Sequence, residues 1–433
     1  MIIRSRDLAL SIAAVAAIAV IVPAGGAQNP ISTPSSTVPP ETRDTFHHRV
    51  LWMQNPSTEA VLSWSTPVAG EKHRVLYDTE TRGGAVADYT KQSSTFKDGP
   101  FTIVDKDAGF SAPAFYHHAH LTGLSPNTTY YVAFASDDVI SREFNFKTAP
   151  GEDIEFTVLA GGDSRIGTET PYLHNDRRKM NERMAQLFAS DPTIIALVHG
   201  GDYCMTAQWR HIAPWLADHE LTTTPEGRLL PIVPTRGNHD RAIGFEEMFA
   251  WPDLKTPYYY TTQLSPKVGL VTLNTEISVA GDQRQWLADT LPVLRAANRW
   301  ITAIYHRPSY SSVRDVQDGA GRRNNWVGLF EENNVDLVYE SHDHALKRTL
   351  PIRSHAPDLK NGIVYIGDGG LGVPQRTPDT TRWWLQPPGF AKSAHHVHTI
   401  HYGKEAIHVK AHGMDGEILD DFVVKPHEVV ASK

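Results

Sequence analysis

Five short polar clusters recur along the chain, each at the C-terminal end of an apolar run: Gly161-Gly-Asp163, Gly201-Asp202, Gly237-Asn-His239-Asp240, His306 and His342-Asp-His344. The runs leading into them are Ile154 to Leu159, Thr193 to Val198, Leu229 to Val233, Trp300 to Ile304 and Val335 to Tyr339. Between some of them, apolar residues fall at helical spacing, as in Met180, Met184, Leu187 and Phe188 and again in Trp286, Leu287, Leu291 and Leu294. Buried strands alternating with one-faced helices predict a mixed α/β (α+β) core whose polar groups collect at one end of the sheet. Tyr258 to Tyr260, Gly362 to Gly370, His395 to Tyr402 and Ala406 to Lys410 read as further strands.

Ahead of Pro150 the texture is different. Ala60 to Ser65, His73 to Tyr77, His117 to Leu121, Thr129 to Phe134 and Glu143 to Lys147 are short half-apolar runs divided by Gly, Pro, Asn and Asp. They predict an N-terminal all-β sandwich in front of the sheet core and its flanking helices. Asn127-Thr-Thr129 is formally a glycosylation acceptor, read here as a buried turn.

Residues 1–27 read as an export signal, with Arg4 and Arg6, an apolar stretch from Leu8 to Val22 and a small-residue cleavage region at Ala24-Gly-Gly-Ala27. Residues 28–45, rich in Pro, Ser and Thr, read as a linker. Residues 46–150 and 151–425 are the two expected domains, with a tail at 426–433. The expectation is an exported protein, periplasmic or extracellular, with no stable membrane span once the signal is cleaved. A net charge of −8 argues against a general nucleic-acid binder. The single cysteine, Cys204, rules out an intramolecular disulfide. Oligomeric state is not encoded in any of these patterns.

The clusters supply carboxylates, an amide oxygen and imidazoles, a donor set that suits two divalent or trivalent metal ions such as Fe, Zn or Mn. Asp202 is the natural bridging carboxylate. Asp163 and His344 complete one metal, and Asn238, His306 and His342 the other. In an extended His342-Asp-His344 segment, both imidazoles would lie on one side. His239 is the candidate proton donor to a departing alkoxide, with Asp240 as its orienter. Arg165, Arg236 and Arg307 are candidate contacts to an anionic substrate. His199 reads as packing, and His174 as a helix-start residue with a possible substrate contact. Arg382, Trp383 and Trp384 form either a pocket rim or a satellite cluster. This chemistry points to a small phosphate ester as substrate, opened by a metal-activated water.

Those residues, in that order, resemble the calcineurin-like metallophosphoesterases and, within them, the purple acid phosphatase branch. The branch's series Asp-x-Gly, Gly-Asp-x-x-Tyr, Gly-Asn-His-Asp/Glu, Val-x-x-His and Gly-His-x-His is matched by Asp163-Ser-Arg165, Gly201-Asp-Tyr-Cys-Met205, Gly237-Asn-His-Asp240, Ala303-Ile-Tyr-His306 and Ser341-His-Asp-His344. The resemblance spans about residues 47–425. It implies a fibronectin type III-like domain before the catalytic one and hydrolysis of phosphate monoesters. A phosphodiesterase on the same metal core, or a non-catalytic phosphate-ester binder, are the alternatives. Two positions depart from the family. The tyrosine that ligates ferric iron and gives these enzymes their violet colour falls at Met205, and a histidine common in the wider superfamily falls at Arg165. The first metal site is therefore short of a ligand, with water, Cys204 or another side chain left to fill it, and the second is complete.

Overall fold

The computed structural model describes residues 44–103, 114–165 and 172–427. The segment read as a signal, nearly all of the linker and the tail beyond residue 427 lie outside the described residues. The chain begins as antiparallel sheet, with β1 (Phe46–Leu51), β2 (Ala60–Thr66), β3 (His73–Asp78), β4 (Lys91–Pro100), β5 (Phe115–Leu121), β6 (Thr129–Ser136), β7 (Val139–Ile140) and β8 (Phe144–Lys147). β4 folds this sheet onto itself, because residues 91–94 pair with β3 and residues 95–100 pair with β5. Across the resulting sandwich Trp64 meets Phe134 at 5.4 Å between ring centres and donates its indole N–H to Ser136 Oγ at 2.9 Å. The Ser125 N–H donates to Tyr130 Oη at 2.8 Å, fixing the corner before β6. Asn127 turns there with φ 52°, but it is exposed rather than buried.

Three parallel strands follow, β9 (Phe156–Gly161), β10 (Ile194–His199) and β11 (Ile232–Pro234), interleaved with α1 (Tyr172–Ser190), α2 (Trp209–His219) and, after β11, α3 (Ala242–Met248). A second sheet is built from β12 (Tyr260–Ser265), β13 (Val268–Thr272), β14 (Trp300–Ile304) after α4 (Asp282–Ala297), β15 (Leu337–Glu340) and β16 (Leu346–Arg348). A hairpin of β17 (Ile352–Arg353) and β18 (Ala356–Pro357) stands apart, and β19 (Val364–Gly367) and β20 (Phe390–Lys392) complete the second sheet in the order β12-β13-β14-β15-β19-β16-β20. The chain then returns to the first sheet as β21 (His396–Tyr402), β22 (Ile407–Gly413) and β23 (Ile418–Val424), with β21 antiparallel to β9. Only Tyr260 of the tyrosine run lies in a strand; Tyr258 has φ 60° and belongs to the turn before β12.

Every residue of β9, β10, β13, β14, β15 and β19 is buried, as parallel strands covered on both faces require. Val158, Ala160, Val198, Ile304, Tyr339 and Ile366 share one apolar cluster between the two sheets. Met180, Met184 and Phe188 of α1 cover the outer face of the first sheet against Leu159, Ile194 and Leu197. Leu287, Leu291 and Leu294 of α4 do the same for the second sheet against Val271, Ile301 and Val338. Trp384 and Leu385 join that second cluster, so the tryptophan loop is a satellite of the core. Arg382 there donates to the carbonyls of Ser311 and Arg314. On the other edge, β1 pairs in parallel with β11 through Leu51 and Ile232, which makes the N-terminal sandwich and the first core sheet one continuous 14-stranded sheet.

Beneath the loops at the strand ends lies a buried charge network. Lys347 on β16 is fully buried and donates to Glu340 Oε2 at 2.6 Å and to the Tyr310 carbonyl at 2.7 Å, with Asp368 Oδ2 at 2.9 Å. Burial would lower its pKa, yet the two carboxylates raise it, so the ammonium stays charged. Removing it would leave two buried anions without a counter-charge. We predict that Lys347→Met destabilises the protein by about 3–5 kcal/mol, read as the shift in urea unfolding, the cost of breaking a buried ion pair on one side.

Candidate metal centre

The five C-terminal strand ends bring the polar clusters together, and the backbone there is unusual. Asp163, Asp202, His342 and His344 have φ of 56°, 57°, 81° and 59°. This left-handed region costs a non-glycine residue about 1–3 kcal/mol and persists only where the surroundings enforce it. Here the enforcement is a set of loop-to-loop hydrogen bonds. The Asp163 N–H donates to the Gly201 carbonyl at 2.9 Å, and the Ser164 and Arg165 N–H groups donate to the Asp202 carbonyl at 3.1 and 3.0 Å. Gly237 lies so close that an added Cβ would strike the backbone nitrogen and the carboxylate of Asp202. Gly369, with φ 89°, passes the Asp163 carboxylate with equally little room. The His342-Asp-His344 segment is bent, not extended as its alternation predicts. Its imidazoles face one centre because of the two left-handed turns, while Asp343 points away to accept from Ser311 Oγ at 2.6 Å and from the Val313 N–H at 3.0 Å.

Asp202, Asn238, His306 and His342 converge. His306 donates its Nδ1–H to the Gly200 carbonyl at 2.9 Å, which turns Nε2 inward. That nitrogen lies 3.0 Å from Asn238 Oδ1, 3.1 Å from His342 Nδ1 and 3.4 Å from Asp202 Oδ1. Four lone-pair atoms facing one another in a buried site are an arrangement that calls for positive charge at their centre. The electrostatics of His306 point the same way: burial would lower its pKa, but the Asp202 and Asp163 carboxylates push it up to about 10. In Asp202 the opposing pull of His306 outweighs burial and holds the carboxyl well below its ordinary range. One carboxylate, one amide oxygen and two imidazoles fit Zn, Fe or Mn.

At the neighbouring position Asp163 Oδ1 and His344 Nε2 lie 3.3 Å apart, both buried and without a hydrogen-bond partner among the described residues. His344 donates Nδ1–H to the Pro374 carbonyl at 3.2 Å, so its Nε2 lone pair faces Asp163. Asp163 Oδ2 accepts the His342 N–H at 2.8 Å. These two donors fit a cation, but the third, Asp202 Oδ2, is held by Arg165 Nε at 3.2 Å. Arg165 Nη1 in turn lies 3.3 Å from Met205 Sδ, so the two positions that depart from the family touch each other in space. Cys204 does not fill the gap. It is buried and lines a small apolar space with Ile212 and Phe245, and burial, then Asp240, pushes its thiol pKa well up.

The other predicted residues separate. His239 donates Nδ1–H to the Met205 carbonyl at 2.8 Å, leaving Nε2 without a partner among the described residues, and its backbone N–H holds Asp202 Oδ1 at 2.9 Å. Asp240 is not the orienter of that ring. Its carboxylate accepts the backbone N–H groups of Asp202, Tyr203 and Gly237 at 2.7, 3.0 and 2.8 Å, tying two of the metal-facing loops together. Arg236 donates Nε to the Asp240 carbonyl at 2.7 Å and so secures its own loop. Arg307 is clamped by Glu276 through bonds of 2.8 and 3.1 Å. His199 packs, as expected, stacking on Tyr203 at 3.9 Å between ring centres. The His174 side chain lies outside the described residues. Three groups that sequence reasoning missed are the Met205 carbonyl, Asp343, and Arg314, which donates to the His342 carbonyl at 3.2 Å; the first two lie inside the motifs, where spacing says nothing of a backbone carbonyl or of an intervening residue, and Arg314 lies in no motif.

Among the described residues one further group, His73, Asp98 and His117 in the N-terminal sandwich, has metal-like spacing. Its four ring nitrogens are already bonded, to Ser136 Oγ, the Ala69 carbonyl, Asp98 Oδ1 and Thr66 Oγ1 at 2.7–3.0 Å. No imidazole nitrogen there is left for an ion.

Comparison with known proteins agrees with this geometry. Residues 46–148 match the family model of the purple acid phosphatase N-terminal domain, and residues 146–346 match that of calcineurin-like phosphoesterases. An uncharacterized protein of Mycobacterium tuberculosis is 28% identical over 367 residues, covering 75% of this chain; the chain spans 63% of that relative's length. The Fe(3+)-Zn(2+) purple acid phosphatase 12 of Arabidopsis thaliana is 22% identical over 372 residues, covering 79% of this chain and 75% of that protein. The fold is that of a purple acid phosphatase from yellow lupin (Lupinus luteus) seeds, with a TM-score of 0.73 at 18% identity over 89% of this chain and 75% of that one. The two matched segments meet at residues 146–148 and together carry all five polar clusters, and over them the chain is similar to the purple acid phosphatase-like branch of the calcineurin-like metallophosphoesterases.

Proposed function

We propose that this chain is an exported metal-dependent phosphatase that hydrolyses phosphate monoesters. The observation that carries the reading is the convergence of Asp202, Asn238, His306 and His342 on one point, with the unpartnered Asp163 Oδ1 and His344 Nε2 beside it. Asp202, Asn238, His306 and His342 would hold one ion, and Asp163, His344 and a share of Asp202 the other. Bound ions supply the charge that neutralises a phosphoryl group and the acidity that makes water a nucleophile near neutral pH. The protein's own contribution is positional. Arg165 adds a fixed guanidinium next to Asp202, and His239, anchored through Nδ1 on the Met205 carbonyl, has Nε2 available to carry a proton to the leaving oxygen. Export rests on the sequence of residues 1–27; no helix among the described residues is long and apolar enough to cross a membrane.

The first test is turnover of p-nitrophenyl phosphate and of its bis ester with Mn, Zn and Fe. Monoester turnover is expected, and no hydrolysis with any metal would leave a binding protein instead. If His239 protonates the leaving group, His239→Asn costs about 100-fold in kcat on an alkyl phosphate and much less on p-nitrophenyl phosphate, whose leaving group needs no proton. Equal losses on both substrates would remove that role. Arg165→Gln frees Asp202 Oδ2 from a hydrogen bond between charged groups worth about 1.5–3 kcal/mol, so metal affinity at the Asp163 and His344 position should rise about tenfold or more, measured by titration calorimetry. With a thioether at residue 205, and with Tyr203 turned to the His199 carbonyl, the iron-loaded protein is expected to be colourless; an intense visible band would show a phenolate ligand from elsewhere.

A further inference from the structure

Beside the metal centre a cleft of about 170 Å³ is lined by Arg307, Ser311, Arg314, Asp318, Arg322 and His342. The volume is about five to six times the share of one water molecule in the liquid, which suits a phosphate or a carboxylate with a few waters. His342 belongs to both places. Its Nδ1 lies 3.1 Å from His306 Nε2 in the candidate metal centre, and it forms part of the cleft wall, so the cleft opens next to that centre.

Three guanidiniums face this space with one carboxylate, the exposed Asp318, among the lining groups. Each is held from one side. Arg307 is clamped through Nε and Nη2 by Glu276, Arg322 donates Nε and Nη2 to the Pro308 carbonyl at 3.2 and 3.0 Å, and Arg314 donates Nη2 to the His342 carbonyl. None of the three Nη1 groups has a hydrogen-bond partner among the described residues, and Arg314 Nε is buried without one, 3.6 Å from Asp343 Oδ1. Arg322 is buried, within reach of the Glu340 carboxylate and of the like charges of Arg307 and Arg323. Glu276, Asp343 and Glu340 offset part of this charge from outside the cleft lining, and guanidiniums that keep spare N–H donors are suited to bind a phosphate or carboxylate in a forked geometry.

We propose that this cleft receives a second anionic group of the ester being hydrolysed, so that the preferred substrates are phosphate monoesters bearing a further phosphate or carboxylate. The proposal rests on the phosphatase reading for its chemistry, but the cleft can be tested by binding as well as by turnover. Matched pairs isolate the second anion: phosphoserine against phosphoethanolamine, which lacks the carboxylate, and fructose bisphosphate against fructose monophosphate. With the metal-loaded protein, the member carrying the extra anion should bind about tenfold or more tightly by titration calorimetry, and should show the same advantage in KM, as expected for new hydrogen bonds to a charged group. The advantage should shrink as salt is raised. Arg314→Gln and Arg322→Gln should each collapse the ratio within a pair. Equal binding of paired members by the native protein, or ratios that persist in both variants, would overturn the proposal. If the pairs are discriminated in binding but nothing is hydrolysed, the cleft stands and the phosphatase reading falls.

Discussion

The site depends on four residues held in the left-handed backbone region at the ends of parallel strands. An extended continuation of β9, β10 and β15 would send successive side chains to opposite faces and scatter the carboxylates and imidazoles. The turns at Asp163, Asp202, His342 and His344 aim them inward instead. This conformation has a cost, and the structure offsets it with bonds that serve no chemistry. Asp240 collects three backbone N–H groups from two loops, Asp343 fastens the histidine segment to residues 311–313, and Gly237 and Gly369 leave room where a Cβ would collide. The result is a cluster of lone pairs that repel one another until a cation arrives, so ion binding and the order of these loops are thermodynamically linked.

Much of this was legible in the sequence because the informative residues are local. Each buried parallel strand is a short apolar run, and each polar cluster sits directly after one, so the α/β core and the six polar residues that gather at the strand ends could be read in order. What could not be read depends on partners distant in sequence. Lys347 reads as a surface lysine until Glu340 and Asp368, from two other strand ends, close around it. Asp240 follows His239 and so looks like its orienter, but a neighbour in sequence points elsewhere, and the ring finds the Met205 carbonyl. β1 and β4 were missed because their buried or paired positions are filled by His, Arg, Ser and Thr. Arg49, for example, is buried in β1 with its guanidinium bonded to the Met248 carbonyl.

Arg165 and Met205 show how a family resemblance and a structure inform each other. The resemblance marks two unrelated departures, forty residues apart. The structure places them in contact and puts the guanidinium on the carboxylate that two ions would share. They therefore behave as one substitution: an anionic phenolate is lost and a cation is gained in the same small volume. The two candidate metal positions are accordingly unequal, one enclosed by four neutral or anionic donors and the other sharing its space with a resident positive charge.

β11 is only three residues long and leads straight into Gly237 and Asn238. Its neighbours are β10 on one side and β1 on the other. The N-terminal sandwich thus acts as a shutter over a backbone edge. A chain trimmed back to the phosphoesterase segment would expose unpaired amide and carbonyl groups beside the asparagine loop, an edge prone to joining that of another molecule. In this protein the front module is part of the architecture of the phosphoesterase-like half and not a detachable accessory.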